Sequence, residues 1–258
     1  MKFKFDLTKT VAVAGGLLLA TSTASLHAGS AIKEVAAPPV AEEETSFFKG
    51  SLSTGYDSEY IFRGANLSDG SGLVWTNLAV TLFDHLNLAA WYADVPDTDY
   101  SELDLTASLS YSVGIVDLAG GVVWYYYPDA EDDAIDDTFE PFVSANVNIG
   151  SMVDWFNYIG YDTEEDGWYF YSSVSAGIPV TDWLTITPLA GIGYGVDYYA
   201  DHDSDSAFNQ IDLRLTASFA LSKTVTLSPY IAGVFPLDAI DNTQEDEFYG
   251  GASLSVSF

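Results

Sequence analysis

A strict alternation of apolar residues with small or polar residues most constrains the fold of this chain. It recurs in segments of about ten residues from residue 46 to the C-terminus. The final stretch, FYGGASLSVSF, shows it clearly, and IDLRLTASFAL and LDLTASLSYSV repeat it. Because successive side chains of a strand point to opposite faces, the alternation predicts strands with one apolar and one polar face. No stretch of the sequence has a convincing helical period.

The connections between these segments alternate in length. Five short links, such as GIVD and LSKT, take turns with six longer acidic ones, such as PDAEDDAIDD and PLDAIDNTQEDE. This count predicts twelve antiparallel strands, with ten as the alternative. Long loops on one side and tight turns on the other are typical of an all-β, transmembrane, up-and-down barrel. A soluble sandwich would also alternate, but a core of serine, threonine and glycine would bury too little apolar area.

Aromatic and proline residues refine this prediction. Aromatic residues cluster toward the long loops, as in WYYYP and WYFY, and toward the short turns, as at Phe83, Trp155 and Trp183. Such clusters are typical of the two interfaces of a membrane. Three prolines interrupt predicted strands, and each is expected to mark a bulge or break because proline cannot donate to the strand ladder. They are Pro141, Pro188 and Pro229.

The two ends of the chain indicate export. Residues 1–28 combine lysines, a short apolar run and small residues, the order of a secretory signal peptide. Residues 29–45, rich in alanine, proline and glutamate, are predicted to form a flexible periplasmic linker before a barrel of residues 46–258. The last residue, Phe258, is the usual final residue of bacterial outer-membrane barrels, where the assembly machinery reads it. We therefore expect an outer-membrane location with both termini in the periplasm.

Composition excludes several functions. With 38 acidic against 8 basic residues, the net charge is −30, whereas nucleic-acid binding needs basic residues. A hydrophobic fraction of 48% is too high for a disordered acidic chain. Without cysteine there is no thiolate chemistry. We expect no cofactor, and membrane lipid and small solutes or cations as partners.

Two stretches carry a resemblance to a known family. GYDSEYIFRGANLSDG, residues 55–70, and LSYSVGIVDLAGGVVWYYYPDA, residues 109–130, resemble segments of the TorF family of bacterial porins. The family commonly has serine where this chain has Asn66. The resemblance implies an outer-membrane channel, but it names no substrate.

Arg63 is one of only two arginines in the chain. Alternation predicts that Tyr60 and Phe62 face the lipid interface while Arg63 points inward, and Gly64 then lets the chain turn. Two roles are open. Arg63 either ties the first loop to a carboxylate, for which the candidates are Asp57, Asp104 and Asp212, or it faces the pore and orients a permeating anion.

The same alternation identifies side chains that face the lumen. The candidates for lining the pore are Lys49, Asp57, Arg63, Asp104, Glu140, Asp212 and Arg214. The bulky candidates for a constriction are Trp75, Trp91, Tyr125, Tyr169 and Tyr230.

These residues predict a channel for passive diffusion of small hydrophilic solutes, favouring cations because the long loops are acidic. The alternative is a non-conducting structural barrel whose acidic loops bind a partner or divalent cations. Asp201, His202 and Asp203 are the candidates for a metal site. No nucleophile motif accompanies His202, so we expect no enzyme.

Overall fold

The computed structural model describes residues 47–68, 70–96, 100–128, 137–198 and 206–258. The predicted signal peptide and the predicted linker lie outside these residues. Every described element is a strand, and the strands are β1 (Phe48–Asp57), β2 (Ile61–Phe62), β3 (Ala65–Asn66), β4 (Leu73–Leu82), β5 (Leu86–Val95), β6 (Tyr100–Val113), β7 (Val116–Tyr126), β8 (Thr138–Ile149), β9 (Val153–Asp162), β10 (Gly167–Ala176), β11 (Ile178–Thr181), β12 (Leu184–Val196), β13 (Ser206–Ala220), β14 (Val225–Pro236) and β15 (Glu247–Ser257). No helix in the described part of the chain is long and apolar enough to cross a membrane.

Twelve of these strands form a closed ring. Each long strand pairs antiparallel with its neighbour in the sequence, and β1 also pairs with β15, from Ser51↔Ser257 to Asp57↔Gly251. The remaining pairing, β10 with β12, completes the ring. The structure therefore confirms the predicted all-β barrel and its count of twelve strands. The short β11 continues β10 at the rim, and β2 and β3 form a separate hairpin.

The two faces of the ring differ in polarity. Side chains of one register, such as Leu78, Leu109 and Ile231, are exposed on the outside of the barrel, while those of the other register point into the lumen. The short turns, Phe47 and Phe258 lie at one end of the barrel, here called the terminal end. The longer connections lie at the other, here called the loop end. Trp155 and Trp183 are exposed on the outer face near the terminal end.

The three strand prolines lie where ladders are interrupted, as predicted. The β8–β9 ladder starts only after Pro141, at Phe142↔Gly160. Pro188 lies where β12 changes its partner from β10 to β11. Pro229 lies in the gap of the β13–β14 ladder between Thr216↔Tyr230 and Phe219↔Leu227. Each proline therefore occupies a position where a missing amide donor costs no ladder bond on that side.

Candidate functional site

The first long connection forms a hairpin with a tight turn. Ile61 pairs with Asn66 and Phe62 with Ala65, so Arg63 and Gly64 are the two turn residues. Their φ angles are 49° and 90°, and positive φ at both central residues is typical of a type I′ turn. Glycine adopts this conformation freely, whereas an arginine there costs roughly 1 kcal/mol that other contacts must offset. We call residues 59–68 the lumenal hairpin.

The lumenal hairpin packs against opposite walls of the ring. Tyr60 belongs to a buried cluster with Trp91 of β5, and Ile61 belongs to another with Val234 of β14. Phe62 packs against the Tyr60 cluster and also against a third one that contains Tyr125, Tyr169 and Tyr171. Because one short hairpin touches several sides of a closed ring, it lies inside the lumen. The expectation that Tyr60 and Phe62 face lipid is therefore wrong, and Tyr60 is only 1% exposed.

The tip of the hairpin is tied to the wall by a buried ion pair. Nη2 of Arg63 lies 2.6 Å from both carboxylate oxygens of Glu140 on β8. The side chains of Arg63 and Glu140 are 3% and 0% exposed. Tyr125 and Tyr158 also donate their hydroxyls to Glu140. Arg63 therefore ties the first loop down as one of the two predicted roles requires, but its partner is Glu140 and not one of the three aspartates suggested for it.

Aromatic rings surround the guanidinium of Arg63. Its central carbon lies 4.3 Å from the ring centroid of Tyr169, 4.8 Å from that of Phe62 and 4.9 Å from that of Tyr198. Such contacts stabilise a desolvated cation. Burial lowers the pKa of Arg63, but the nearby Glu140 carboxylate raises it, and the net pKa is above its ordinary value. The guanidinium is therefore charged inside the barrel.

A second pair of carboxyl groups lies beside the hairpin on β6. Glu102 and Asp104 are 1% and 0% exposed. Tyr60 and Tyr100 both donate their hydroxyls to Oε2 of Glu102, at 2.6 and 2.7 Å. Glu102 is not among the residues predicted to line the lumen, although it shares the strand register of Asp104 and alternation alone could have placed it there.

A β-bulge on β13 places two further polar side chains inside. The pairing changes from Ile192↔Ile211 to Tyr194↔Phe208, so Asn209 and Gln210 together lie opposite Gly193. Both side chains are fully buried, and Gln210 donates to the hydroxyl of Tyr169 at 2.8 Å. Bulges commonly redirect a side chain in this way. A Cβ on Gly193 would contact both Gln210 and the Tyr169 hydroxyl, so the glycine makes the space for this contact.

The last long connection covers the hairpin. The backbone N of Asn66 donates to Gln244 at 2.9 Å, and its side chain donates to Glu59 and Glu247. A Cβ on Gly64 would lie 2.8 Å from Cδ1 of Ile240. The hairpin is thus held from the loop end as well as from the walls.

A different wall of the lumen carries a second, less buried cluster. The Tyr230 hydroxyl donates to Oδ1 of Asp57 at 2.6 Å, and Nε1 of Trp75 donates to Oδ2 at 2.9 Å. The guanidinium carbon of Arg214 lies over the Tyr230 ring, 3.6 Å from its centroid. Asp57, Trp75, Tyr230 and Arg214 are all partly exposed, unlike the residues around Arg63. We call these four residues the Arg214 cluster.

Toward the terminal end the inward side chains become small and polar. Ser53 bonds to Ser255 at 2.9 Å, and Ser218 bonds to Ser228 at 3.1 Å. The other inward residues of this half include Asn77, Thr81, Asn87, Thr106, Ser108, Ser173, Ser175, Thr187 and Thr226. The lumen therefore has a packed, aromatic half at the loop end and a hydroxyl-rich half at the terminal end.

A family model described as "Bacterial protein of unknown function (Gcw_chp)" matches residues 41–243. The chain belongs to this Gcw_chp family. The description does not name the TorF family, so that resemblance stays a prediction. No curated protein matches this Gcw_chp chain by sequence.

Several solved barrels resemble the Gcw_chp barrel in fold. The KdgM porin aligns with a TM-score of 0.58 at 9% identity, covering 81% of this chain and 99% of that chain. The NanC porin aligns with a TM-score of 0.56 at 8% identity, covering 80% and 98%. The COG4313 outer membrane channel from Pseudomonas putida F1 aligns with a TM-score of 0.55 at 15% identity, covering 85% and 99%. At these identities the likeness shows a shared fold alone.

The predicted lining residues are distributed over the lumen of the Gcw_chp barrel. Arg63, Asp104 and Glu140 lie in its packed half, whereas Asp57 and Arg214 belong to the Arg214 cluster. Asp212 is buried two residues from Arg214 on β13 and accepts a hydrogen bond from Gln210 at 3.2 Å. Lys49 lies at the terminal rim, where it pairs with Asp84 at 3.4 Å. Their part in conduction stays a prediction.

The predicted constriction residues all point inward, but they belong to different clusters. Tyr125 and Tyr169 pack together with Phe62, and Trp91 packs with Tyr60. Trp75 lies beside that second group, whereas Tyr230 packs with the third. The lumenal hairpin fills the space between these groups.

The described loops carry several of the predicted acidic side chains. Burial raises the pKa of Glu165, and the neighbouring charges of Asp162 and Glu164 raise it further. No three His, Asp or Glu side chains within the described ranges are grouped to hold a metal ion. The metal candidates Asp201, His202 and Asp203 lie outside these ranges.

Proposed function

We propose that this protein is an outer-membrane channel for passive diffusion of small hydrophilic solutes, with a preference for cations. The observation that carries the proposal is the polarity of the closed ring. Apolar side chains cover its outer face, and charged and hydroxyl side chains line its inner face. A ring with no open edge leaves no backbone group unpaired in lipid, and a polar interior provides a path for solutes. The shared fold with porins is consistent with this role.

The preference for cations rests on carboxylates at the loop end. Asp137, Glu164 and Asp166 lie in described loops there, and residues 129–136 and 199–205 add further aspartates and a glutamate by sequence. Rings of carboxylates attract cations and repel anions at a pore entrance. The fold itself imposes no such sign, because a KdgM porin structure is in complex with oligogalacturonate, which is anionic. The preference proposed here depends on this chain's own side chains.

The orientation follows from the export signals of the sequence. We place the terminal end in the periplasm and the loop end outside the cell. The acidic loops then meet solutes first, and the hydroxyl-rich half of the lumen opens toward the periplasm.

A non-conducting barrel is the second candidate, and the lumenal hairpin favours it. Arg63, Glu140 and Tyr60 are each at most 3% exposed, so solute does not pass between them. Under the channel proposal, solutes pass beside the hairpin, along the partly exposed Arg214 cluster. Under the alternative, the hairpin closes the lumen and the acidic loops bind a partner or divalent cations.

Conductance in planar bilayers separates the two candidates. The purified wild-type protein is compared with a variant in which residues 61–66 are replaced by two glycines, after both are shown to migrate faster unheated than boiled. Under the channel proposal the wild type conducts, and the shortened loop raises the single-channel conductance. A silent wild type with a conducting loop variant would instead establish the hairpin as a closed plug. If neither conducts, the channel role is rejected.

A further inference from the structure

The two arginines of the chain occupy different environments. Arg63 is buried and paired with Glu140 in the lumenal hairpin, whereas Arg214 is partly exposed on another wall. Arg214 forms no ion pair with any residue in the described part of the chain. Arg214 interacts electrostatically with Asp57 and shares a side-chain hydrogen bond with Tyr249, which leaves the other N–H donors of its partly exposed guanidinium for a solute.

The stacking of Arg214 on Tyr230 orients the guanidinium. Its carbon lies 3.6 Å from the ring centroid, so the aromatic ring covers one face of the planar group. The N–H donors of a guanidinium lie in its plane and at its edge, so stacking does not consume them. This edge binds a carboxylate through two parallel hydrogen bonds. The arrangement therefore prepares Arg214 to recognise a carboxylate.

Asp57 supplies a carboxyl group at the hydroxyl end of the same tyrosine. Its two oxygens accept from the Tyr230 hydroxyl and from the Trp75 indole, at 2.6 and 2.9 Å. A carboxylate has about four acceptor positions, so roughly two remain free for an ammonium group. Tyr230 thus contacts the guanidinium of Arg214 with the face of its ring and the carboxyl of Asp57 with its hydroxyl.

Two glycines keep this cluster against the wall. A Cβ on Gly55 would overlap the indole of Trp75, and a Cβ on Gly251 would lie 2.7 Å from Cε1 of Tyr230. The Trp75 ring therefore packs directly on the backbone of β1, and the Tyr230 ring packs directly on the backbone of β15. Larger residues at these positions would push the rings into the lumen.

The local charges select the class of solute. Asp212 lies two residues from Arg214 on the same face of β13 and is held by Gln210, so the region contains one cation and two carboxylates. A simple anion gains nothing from the carboxyl of Asp57, and a simple cation is repelled by Arg214. A solute with both charges close together satisfies both. We propose that the Arg214 cluster binds small zwitterionic solutes of the α-amino-acid type, with the carboxylate on Arg214 and the ammonium on Asp57.

This inference rests on the proposed channel role for its physiological meaning, but binding can be measured without any current. Saturation-transfer NMR titrations of the folded protein in detergent micelles would use glycine as the zwitterion. Acetate, which has only the carboxylate, and methylammonium, which has only the ammonium group, serve as the comparison ligands. We expect glycine to bind, and acetate and methylammonium each to bind about tenfold more weakly, because each lacks one charge-assisted hydrogen bond.

Three variants test the assignment of the residues. Arg214→Met keeps the length of the side chain and should abolish the preference for glycine over methylammonium. Asp57→Asn should bring glycine down to the level of acetate. Lys223→Met, which removes an exposed cation in the β13–β14 turn, is the control and should leave glycine binding unchanged. If Arg214→Met does not fold, Arg214→Lys, which keeps the charge but loses the planar edge, replaces it and should weaken glycine binding.

Two results would overturn the inference. One is glycine binding that is absent, or no stronger than acetate binding, in the wild type. The other is wild-type affinity for glycine in a folded Arg214 variant. Glycine binding without conductance in bilayers would reject the channel role and keep the binding site. Conductance without glycine binding would keep the channel role and reject the binding site.

Discussion

Arg63 and Glu140 lie 77 positions apart in the sequence, and Nη2 of the arginine is 2.6 Å from both carboxylate oxygens of the glutamate. Through this pair the sequence IFRG, residues 61–64, is held in a hairpin inside the barrel. An arginine in a left-handed turn conformation is otherwise unfavourable, so the ion pair and the aromatic rings around it hold the turn in place.

Removing the ion pair should release the hairpin without unfolding the ring. Leaving one buried charge unpaired costs about 3–5 kcal/mol, so Arg63→Ala and Glu140→Gln should each favour an undocked hairpin. We expect chymotrypsin to cut after Tyr60 or Phe62 in either variant, while the unheated protein keeps the fast gel mobility of a folded barrel.

Lys49→Ala provides the control for that experiment. Its partner Asp84 is 71% exposed, and exposed pairs contribute only about 0–1 kcal/mol. Cleavage should stay at the wild-type level in this variant. If Arg63→Ala also resists cleavage but alters ion selectivity, Arg63 acts on permeating ions and does not hold the loop.

Two glycines of the first loop offer a matched comparison. Gly64 and Gly70 both have positive φ, at 90° and 83°, so alanine is strained at either position. A Cβ would lie 2.9 Å from Cβ of Gln210 at Gly64, but would meet nothing within 4 Å at Gly70. Gly64→Ala should therefore increase chymotrypsin cleavage of the hairpin more than Gly70→Ala does. Equal cleavage would mean that backbone strain alone matters.

The third prediction concerns Gly160, the glycine that packs against the side chain of Glu140. A Cβ on Gly160 would lie 2.6 Å from Cδ of Glu140, whereas a Cβ on Gly120 would have only ordinary contacts, at 3.6 Å and beyond. Gly160→Ala should displace the carboxylate and loosen the hairpin, and Gly120→Ala should not. Proteolysis of both folded variants checks this, and a hairpin as resistant in Gly160→Ala as in the wild type would show that Glu140 can shift without losing Arg63.

Ion selectivity should depend on salt concentration. The Debye length falls from ~10 Å at 0.1 M salt to ~3 Å at 1 M, so exposed loop carboxylates act only weakly at high salt. Reversal potentials under a potassium chloride gradient should show a preference for potassium that is strongest in dilute salt. A preference for chloride would contradict the charge argument.

Selectivity should also depend on pH. Because the pKa of Glu165 is raised, this carboxyl binds its proton, and loses its charge, at a higher pH than an ordinary glutamate. The preference for potassium should decline as the pH falls through the range in which Glu165 is protonated. In Glu165→Gln the decline should start at lower pH, and an unchanged profile would remove Glu165 from the selectivity mechanism.

Alternation was sufficient to predict the ring but not its contents. A period of two fixes the inward or outward direction of a side chain from its neighbours, and Asp104, Glu140 and Arg214 were placed correctly on that basis. The same rule failed at Tyr60 and Phe62, because the chain leaves the sheet after Asp57 and the strand register no longer applies. The partner of Arg63 could not be predicted either, since it is fixed by the closure of the ring and not by any local pattern.

The contacts of the lumenal hairpin imply an order of folding. The hairpin lies near the start of the barrel sequence, but it touches Glu140, Tyr169, Gln210 and Ile240, which lie on later strands and in the last loop. These residues surround the hairpin only when β1 has paired with β15. Loop closure over such separations is slow, so the hairpin should enter last, into a barrel that is briefly empty. A kinetic intermediate with a closed wall and a protease-accessible first loop is the expected signature of this order.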